Sequence, residues 1–225
     1  MASYIFEKKY SDLPEVIPLF PLNNVLLLPK CKLPLNLFEN RYLHMFDSAL
    51  GSDRIIGMIQ PSENVKSHRD TPHPKIYNVG CAGIIVAFNQ TNDNRYEIVL
   101  KGLSRFEINK EIDLYKGFRR AKVKWTKYRE DLNSFSANNP TDRIMFEEKL
   151  KLYLKKLDVS ADWQQIEASN DEDLVNSISM GCPFSNIEKQ ALLEAKTLEE
   201  RLKVLNSLLD MSINDNRGTE SRSFS

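Results

Sequence analysis

Phe118-Arg119-Arg120-Ala121-Lys122-Val123-Lys124-Trp125 decides how the first half of the chain is read. Ala121, Val123 and Trp125 alternate with Arg120, Lys122 and Lys124, so an extended backbone carries the apolar set on one face and the basic set on the other. That period of two predicts a half-buried strand. Upstream, short apolar stretches recur between turn residues: Val16 to Phe20, Val25 to Leu28, Leu33 to Leu37, Ile55 to Ile59, Gly83 to Phe88, Tyr96 to Leu100 and Phe106 to Ile112. Asn92-Asp93-Asn94 supplies residue types that tolerate left-handed backbone and predicts a hairpin between Phe88 and Tyr96. Many closely spaced strands favour a barrel or sandwich, which leaves fewer edges to protect. One helix, about Glu39 to Ala49, interrupts them, with Leu43, Phe46 and Leu50 expected on its inner face.

The second half follows a helical period. Asn139, with Pro140 and Asp142 in the first turn, predicts a helix to about Leu157. Ser160 and Asn170 are expected to cap the next two, and Asp171, Glu172 and Asp173 suit the positive end of the latter. Ser185 with Glu188 and Thr197 with Glu200 match capping-box spacing. Leu198, Leu202, Leu205 and Leu209 form a stripe that fits packing inside a small bundle better than a docking helix. From Ser212 the chain turns polar, and residues 212–225 are expected to be a disordered tail.

Charge divides at the same place. The net charge is zero, yet residues 1–129 carry 20 Lys and Arg against 13 Asp and Glu, and residues 130–225 carry 11 against 18. The switch predicts two units, a β-rich one over 1–129 and a helical one over 130–211. Apolar runs such as Ile84 to Phe88 are too short to span a bilayer, and Glu7, Lys8 and Lys9 interrupt any signal-like start. Three scattered cysteines, Cys31, Cys81 and Cys182, favour a reducing cytoplasm over a disulfide framework.

The motifs of the common enzymes are missing from the sequence. No phosphate-binding loop and no dinucleotide fingerprint occurs. His68 and His73 share the loop Ser62 to Lys75 without a third ligand at usable spacing, so no metal is expected, and His44 reads as a half-buried surface residue. Cys81, in Val79-Gly80-Cys81-Ala82-Gly83, has no neighbouring group to stabilise a thiolate and reads as a buried filler.

The most specific signal is an ordered series of blocks. It runs through Ile17-Pro18-Leu19-Phe20-Pro21-Leu22, Leu28-Pro29 and Leu33-Pro34-Leu35-Asn36-Leu37-Phe38-Glu39-Asn40-Arg41-Tyr42. Gly57-Met58-Ile59-Gln60-Pro61, Val79-Gly80-Cys81-Ala82-Gly83, Arg95-Tyr96, Gly102-Leu103-Ser104-Arg105-Phe106 and Asp131-Leu132 follow. This order resembles the amino-terminal, substrate-binding domain of Lon proteases. Cys182-Pro183-Phe184-Ser185 and Glu188 to Glu194 are similar to the helical part of its stand-alone bacterial versions. The resemblance covers about residues 16–210. Asn40 stands where relatives usually have Pro, and Asn94 where they usually have Gly. In physical terms Pro18 and Pro21 suit an edge strand, Gly80, Gly83 and Gly102 suit bends or close approaches, and Arg41 and Arg105 suit loop ties.

The resemblance implies an α+β fold: a PUA-like β pseudobarrel of short, mostly antiparallel strands with one inserted helix, followed by a small α-helical bundle. It implies a non-catalytic polypeptide-binding module without cofactor, ATPase or peptidase, and partners that are unfolded or client polypeptides and a full-length Lon protease. Extended segments would enter an apolar groove or add to a sheet edge, with Phe38, Arg41 and Tyr42 as the residues gripping them. The alternative is RNA binding. Lys116 to Arg129 holds seven Lys or Arg and no acid, with Arg120, Lys122 and Lys124 on one face and Phe118, Trp125 and Tyr128 interleaved as candidates for stacking on bases. A hydrolase hidden from motif reading is a third possibility.

Overall fold

The computed structural model describes residues 8–62, 73–93, 95–133 and 143–214. The chain forms two compact units, Met1–Ser134 and Phe135–Ser225.

The first unit is a mixed six-stranded sheet: β1 (Val16–Pro21), β2 (Lys32–Leu37), β3 (Ile55–Ile59), β4 (Val79–Gln90), β5 (Tyr96–Tyr115) and β6 (Phe118–Lys124), in the order β2-β5-β4-β3-β1-β6. All pairings are antiparallel except β1 with β3. β5 meets β4 along its first half and β6 along its second, so the two halves of one long strand link both ends of β4-β3-β1-β6. The sheet therefore curls into a pseudobarrel, with β2 added outside the ring, and does not close as a regular barrel. Ile17, Leu19, Ile84, Phe106, Ala121, Val123 and Trp125 fill its interior. The alternation in Phe118 to Trp125 thus points its apolar set inward as expected.

Two of the expected strands, Tyr96 to Leu100 and Phe106 to Ile112, are parts of the single 20-residue β5. Gly102 lies between them because another chain segment comes close there. A Cβ on Gly102 would stand 2.1 Å from the Leu28 carbonyl oxygen. Register shifts between Ala82 and Gly83 and between Ile85 and Ala87 let the long ladder bend. Val25 to Leu28 is not a strand. Leu26, Leu27 and Leu28 are buried in an irregular loop, held where Lys30 N–H donates to Gly102 O at 2.9 Å and Gly102 N–H to Cys31 O at 2.8 Å. Nor is Pro18 on an edge, since β1 is interior. Its ladder with β3 starts only at Leu19↔Gly57, so the missing donor of Pro18 deprives no partner.

α1 (Asn40–Leu50) buries Tyr42, Met45, Phe46 and Ala49, a stripe at steps of 3, 1 and 3. The expected Leu43 and Leu50 are only partly covered, because the inner face is centred about one residue to the side. His44, expected to be half-buried, is exposed, with Nδ1 3.2 Å from the Lys116 carbonyl oxygen.

In the second unit lie α2 (Arg143–Lys156), α3 (Trp163–Ala168), α4 (Asp171–Gly181), α5 (Asn186–Glu194) and α6 (Leu198–Asn214). Asn139, Pro140 and Asp142 lie outside the described residues. Asp162, not Ser160, caps α3, its carboxylate accepting from Gln165 N–H at 3.1 Å. Asn170 caps α4 through Asp173 N–H at 2.8 Å, and Ser185 with Glu188 closes a full capping box on α5. At α6 the Thr197 hydroxyl accepts from Glu200 N–H at 3.1 Å, but the Glu200 carboxylate reaches back one residue further, to Lys196 N–H. Leu205, Leu208 and Leu209 are buried on α6, which packs on α2, α4 and α5. α6 continues through Asn214, past the expected start of a disordered tail at Ser212, and the rest of that tail lies outside the described residues.

Candidate functional site

β2, β5 and β4 lie side by side, and their register sets the chemistry of the outer face. Pro34 stands opposite Val99, and Val99 opposite Ala87; two residues on, Asn36 stands opposite Glu97, and Glu97 opposite Asn89. Residues two apart share a face, so these six form an apolar row beside a polar one. The next positions outward on the same face are Lys32 opposite Lys101 at one end, and Phe38 with Arg95 at the other. Leu35, Ile98 and Leu37 alternate with these rows, and Ile98 and Leu37 are buried on the opposite face. A groove of about 560 Å³ runs over the two central rows, with the exposed Phe88 on its margin.

Phe38 is 62% exposed, with the Arg95 guanidinium 5.9 Å from its ring centre. Arg41 is turned to Glu39, Nε donating to Oε2 at 2.9 Å, and lies 4.6 Å over the Tyr42 ring. This is a local tie of the kind expected for it. Tyr42 points inward, 6% exposed and 4.4 Å from the Phe20 ring, and burial pushes its hydroxyl up to about 12. Of the three residues singled out for gripping a peptide, Phe38 is exposed, Arg41 is engaged with its neighbours and Tyr42 belongs to the packing under α1.

The basic strand is less open than its sequence suggests. Phe118, Trp125 and Tyr128 are all buried, and Trp125 Nε1–H donates to the Pro14 carbonyl at 3.0 Å, so none of the three presents a free ring face. Acids on the neighbouring β5 face the cations. Glu111 takes Arg119 side-on, Glu107 pairs with Lys127 at 3.1 Å, and Glu15, just before β1, lies 3.5 Å from Lys122. Arg120 donates to the Asp113 carbonyl and lies 5.0 Å over the Tyr115 ring, while Lys124 is exposed. Arg120, Lys122 and Lys124 therefore do not form a continuous uncompensated stripe.

Cys81 and Cys182 are buried, and burial pushes the Cys182 thiol up to about 11, away from a reactive thiolate. His68 lies outside the described residues, among which no group of three or more His, Cys, Asp or Glu is arranged to hold a metal. No described helix is long and apolar enough to cross a membrane.

A curled six-stranded sheet, followed by a helical unit, fits the resemblance carried by the ordered blocks. The family described as the ATP-dependent protease La (LON) substrate-binding domain matches residues 16–211. The chain belongs to this family. Curated relatives of the LON substrate-binding domain include the Lon protease of Dictyoglomus thermophilum, 26% identical over 198 residues, and Lon protease 2 of Myxococcus xanthus, 26% identical over 211 residues. These alignments take in 85% and 88% of this chain but 24% of each relative, so the chain spans about a quarter of their length. Among solved structures, the Lon N-terminal domain protein from Xanthomonas campestris aligns with a TM-score of 0.58 at 20% identity, over 85% of this chain and 97% of that one. The N-terminal domain of Mycobacterium avium complex Lon protease aligns with a TM-score of 0.59 at 16% identity, over 89% and 99%. Both show that the LON-domain fold is shared.

Proposed function

We propose that this chain is a polypeptide-recognition module that holds extended segments in the groove over β2, β5 and β4 without turning them over. The observation that carries the reading is the apolar row Pro34-Val99-Ala87, exposed at Pro34 and Ala87 and half-buried at Val99, lying in a groove of about 560 Å³ within a family named for substrate binding. Such a groove takes side chains of an extended chain, and ordering that chain costs enough entropy to keep single-segment affinity weak. Of the two entry modes expected, the groove is favoured over the free edge of β2. Pro34 pairs with Val99 without an N–H to give, so its blocked nitrogen faces the edge and interrupts strand addition there. Phe38, at the end of the groove, adds apolar contact area.

Client polypeptides in the bacterial cytoplasm and a full-length Lon protease are the partners this reading implies. The test is a fluorescence-anisotropy titration with a permanently unfolded protein, such as reduced and carboxymethylated lactalbumin, beside incubation with casein with and without ATP. Binding that survives moderate salt and falls at least roughly ten-fold on Ala87→Arg, with casein intact, is the expected result, since an Arg in the apolar row both fills and charges it. Sustained cleavage by the pure protein, or unchanged binding by Ala87→Arg, contradicts the proposal.

A further inference from the structure

The groove carries more information than its apolar row. Lys32 and Lys101 stand directly opposite each other across β2 and β5, and like charges so placed oppose the pairing they sit on. Neither has an ion pair among the described residues, although Arg41, Arg95 and Arg119 of the same unit each have one. Four residues along, the exposed Glu97 stands between the amides Asn36 and Asn89, also without an ion pair among the described residues. The face thus runs from a basic pair through an apolar row to the acidic Glu97, and Arg95, the next residue outward, is held by Asp93 at 2.8 Å. Successive rows are about 7 Å apart, the distance between alternate side chains of any extended chain.

We propose that the groove selects extended segments in which an aliphatic residue is flanked, two positions to either side, by one basic and one acidic residue. The inference rests on the polypeptide-recognition reading above and names its client class. The client's cation meets Glu97, its aliphatic side chain lies on the Pro34-Val99-Ala87 row, and its carboxylate sits between Lys32 and Lys101, relieving their repulsion. Such contacts at a solvated rim set specificity more than affinity. Either chain direction satisfies the pattern, so the order of the two charges is not constrained.

Four labelled nine-residue peptides with a central valine test this by anisotropy. They carry at the flanking positions Lys and Glu, two Lys, two Glu, or two Gln. The Lys/Glu peptide is expected to bind the native protein about five-fold more tightly than either like-charged peptide, the scale of one or two exposed ion pairs. Glu97→Lys is expected to move the preference to the two-Glu peptide. Glu97→Gln, a gentler change, is expected to abolish discrimination between the Lys/Glu and two-Glu peptides. Equal binding of all four peptides, or the same preference in Glu97→Lys with a native circular-dichroism spectrum, overturns this inference while leaving polypeptide recognition standing. Failure to bind any peptide, together with failure to bind unfolded lactalbumin, overturns both. Self-association of the native protein in sedimentation that Glu97→Lys removes assigns the groove to a second copy and overturns the client class.

Discussion

The Arg105 guanidinium holds the Asp131 carboxylate side-on, Nε to Oδ2 at 2.9 Å and Nη2 to Oδ1 at 2.7 Å, while the backbone N–H of Arg105 donates to the same Oδ2 at 2.9 Å. The two side chains are only 4% and 8% exposed, and Arg105 also lies 4.2 Å over the Tyr128 ring. One carboxylate thereby fastens the 3-10 segment Thr126–Leu132 onto β5. Asp131→Ala removes the carboxylate from a buried cation and is expected to destabilise the first unit by about 3 kcal/mol. Arg105→Met with Asp131→Leu removes both charges and should cost less than Asp131→Ala alone, because neither partner is stranded. Urea unfolding followed by Trp125 fluorescence in a Trp163→Phe background measures both.

Gly102 is expected to tolerate no side chain. Its neighbours in the way are backbone atoms, Leu28 O at 2.1 Å and Leu28 C at 2.8 Å from where a Cβ would be. Gly102→Ala must therefore displace the Leu26 to Leu28 loop or bend β5, at about 3 kcal/mol or more. Gly51→Ala, whose nearest atom is at 3.5 Å, is the control and should be close to neutral by thermal melting.

The Cys182 thiol gives the second unit a pH dependence of known sign. Burial holds its folded value at about 11 against an ordinary 9.0, so between those limits the unfolded chain has lost a proton the folded chain retains. The contribution is fully present below pH 9 and is lost as pH rises toward 11. Lys189 acts in the opposite sense, since burial lowers its value and its unfolded form keeps the proton longer. Comparing Cys182→Ala with the native chain isolates the thiol. The variant should lose stability less steeply from pH 9 to 11 in denaturant titrations.

Thiol labelling gives an independent check of the packing. Cys31 is partly accessible and Cys81 and Cys182 are buried. One thiol should react readily with an aromatic disulfide reagent and two should wait for local or global opening. Fast labelling of all three would contradict the core described for both units.

How much of this was legible in the sequence depended on whether the deciding contacts were local. The alternation in Phe118 to Trp125 and the caps at Asn170 and Ser185 are short-range, and the structure shows each. Val25 to Leu28 is apolar without period, and periodicity alone does not separate a strand from a buried loop. The neutralisation of Arg119 and Lys127 depends on Glu111 and Glu107, which stand beside them only after β5 and β6 pair. The groove is less legible still. Pro34, Val99 and Ala87 meet through two strand registers and a bulge, none of which any one stretch of the chain specifies. Nothing local in the sequence separates the exposed Phe38 from Tyr42, whose inward turn follows from the phase of α1 against Phe20.

Amide hydrogen exchange, with and without saturating unfolded lactalbumin, tests the central claim most directly. Slowed exchange confined to residues 35–38, 87–89 and 95–101 is the predicted result. Slowing centred on β6 or on the helices, with those three segments unchanged, contradicts it.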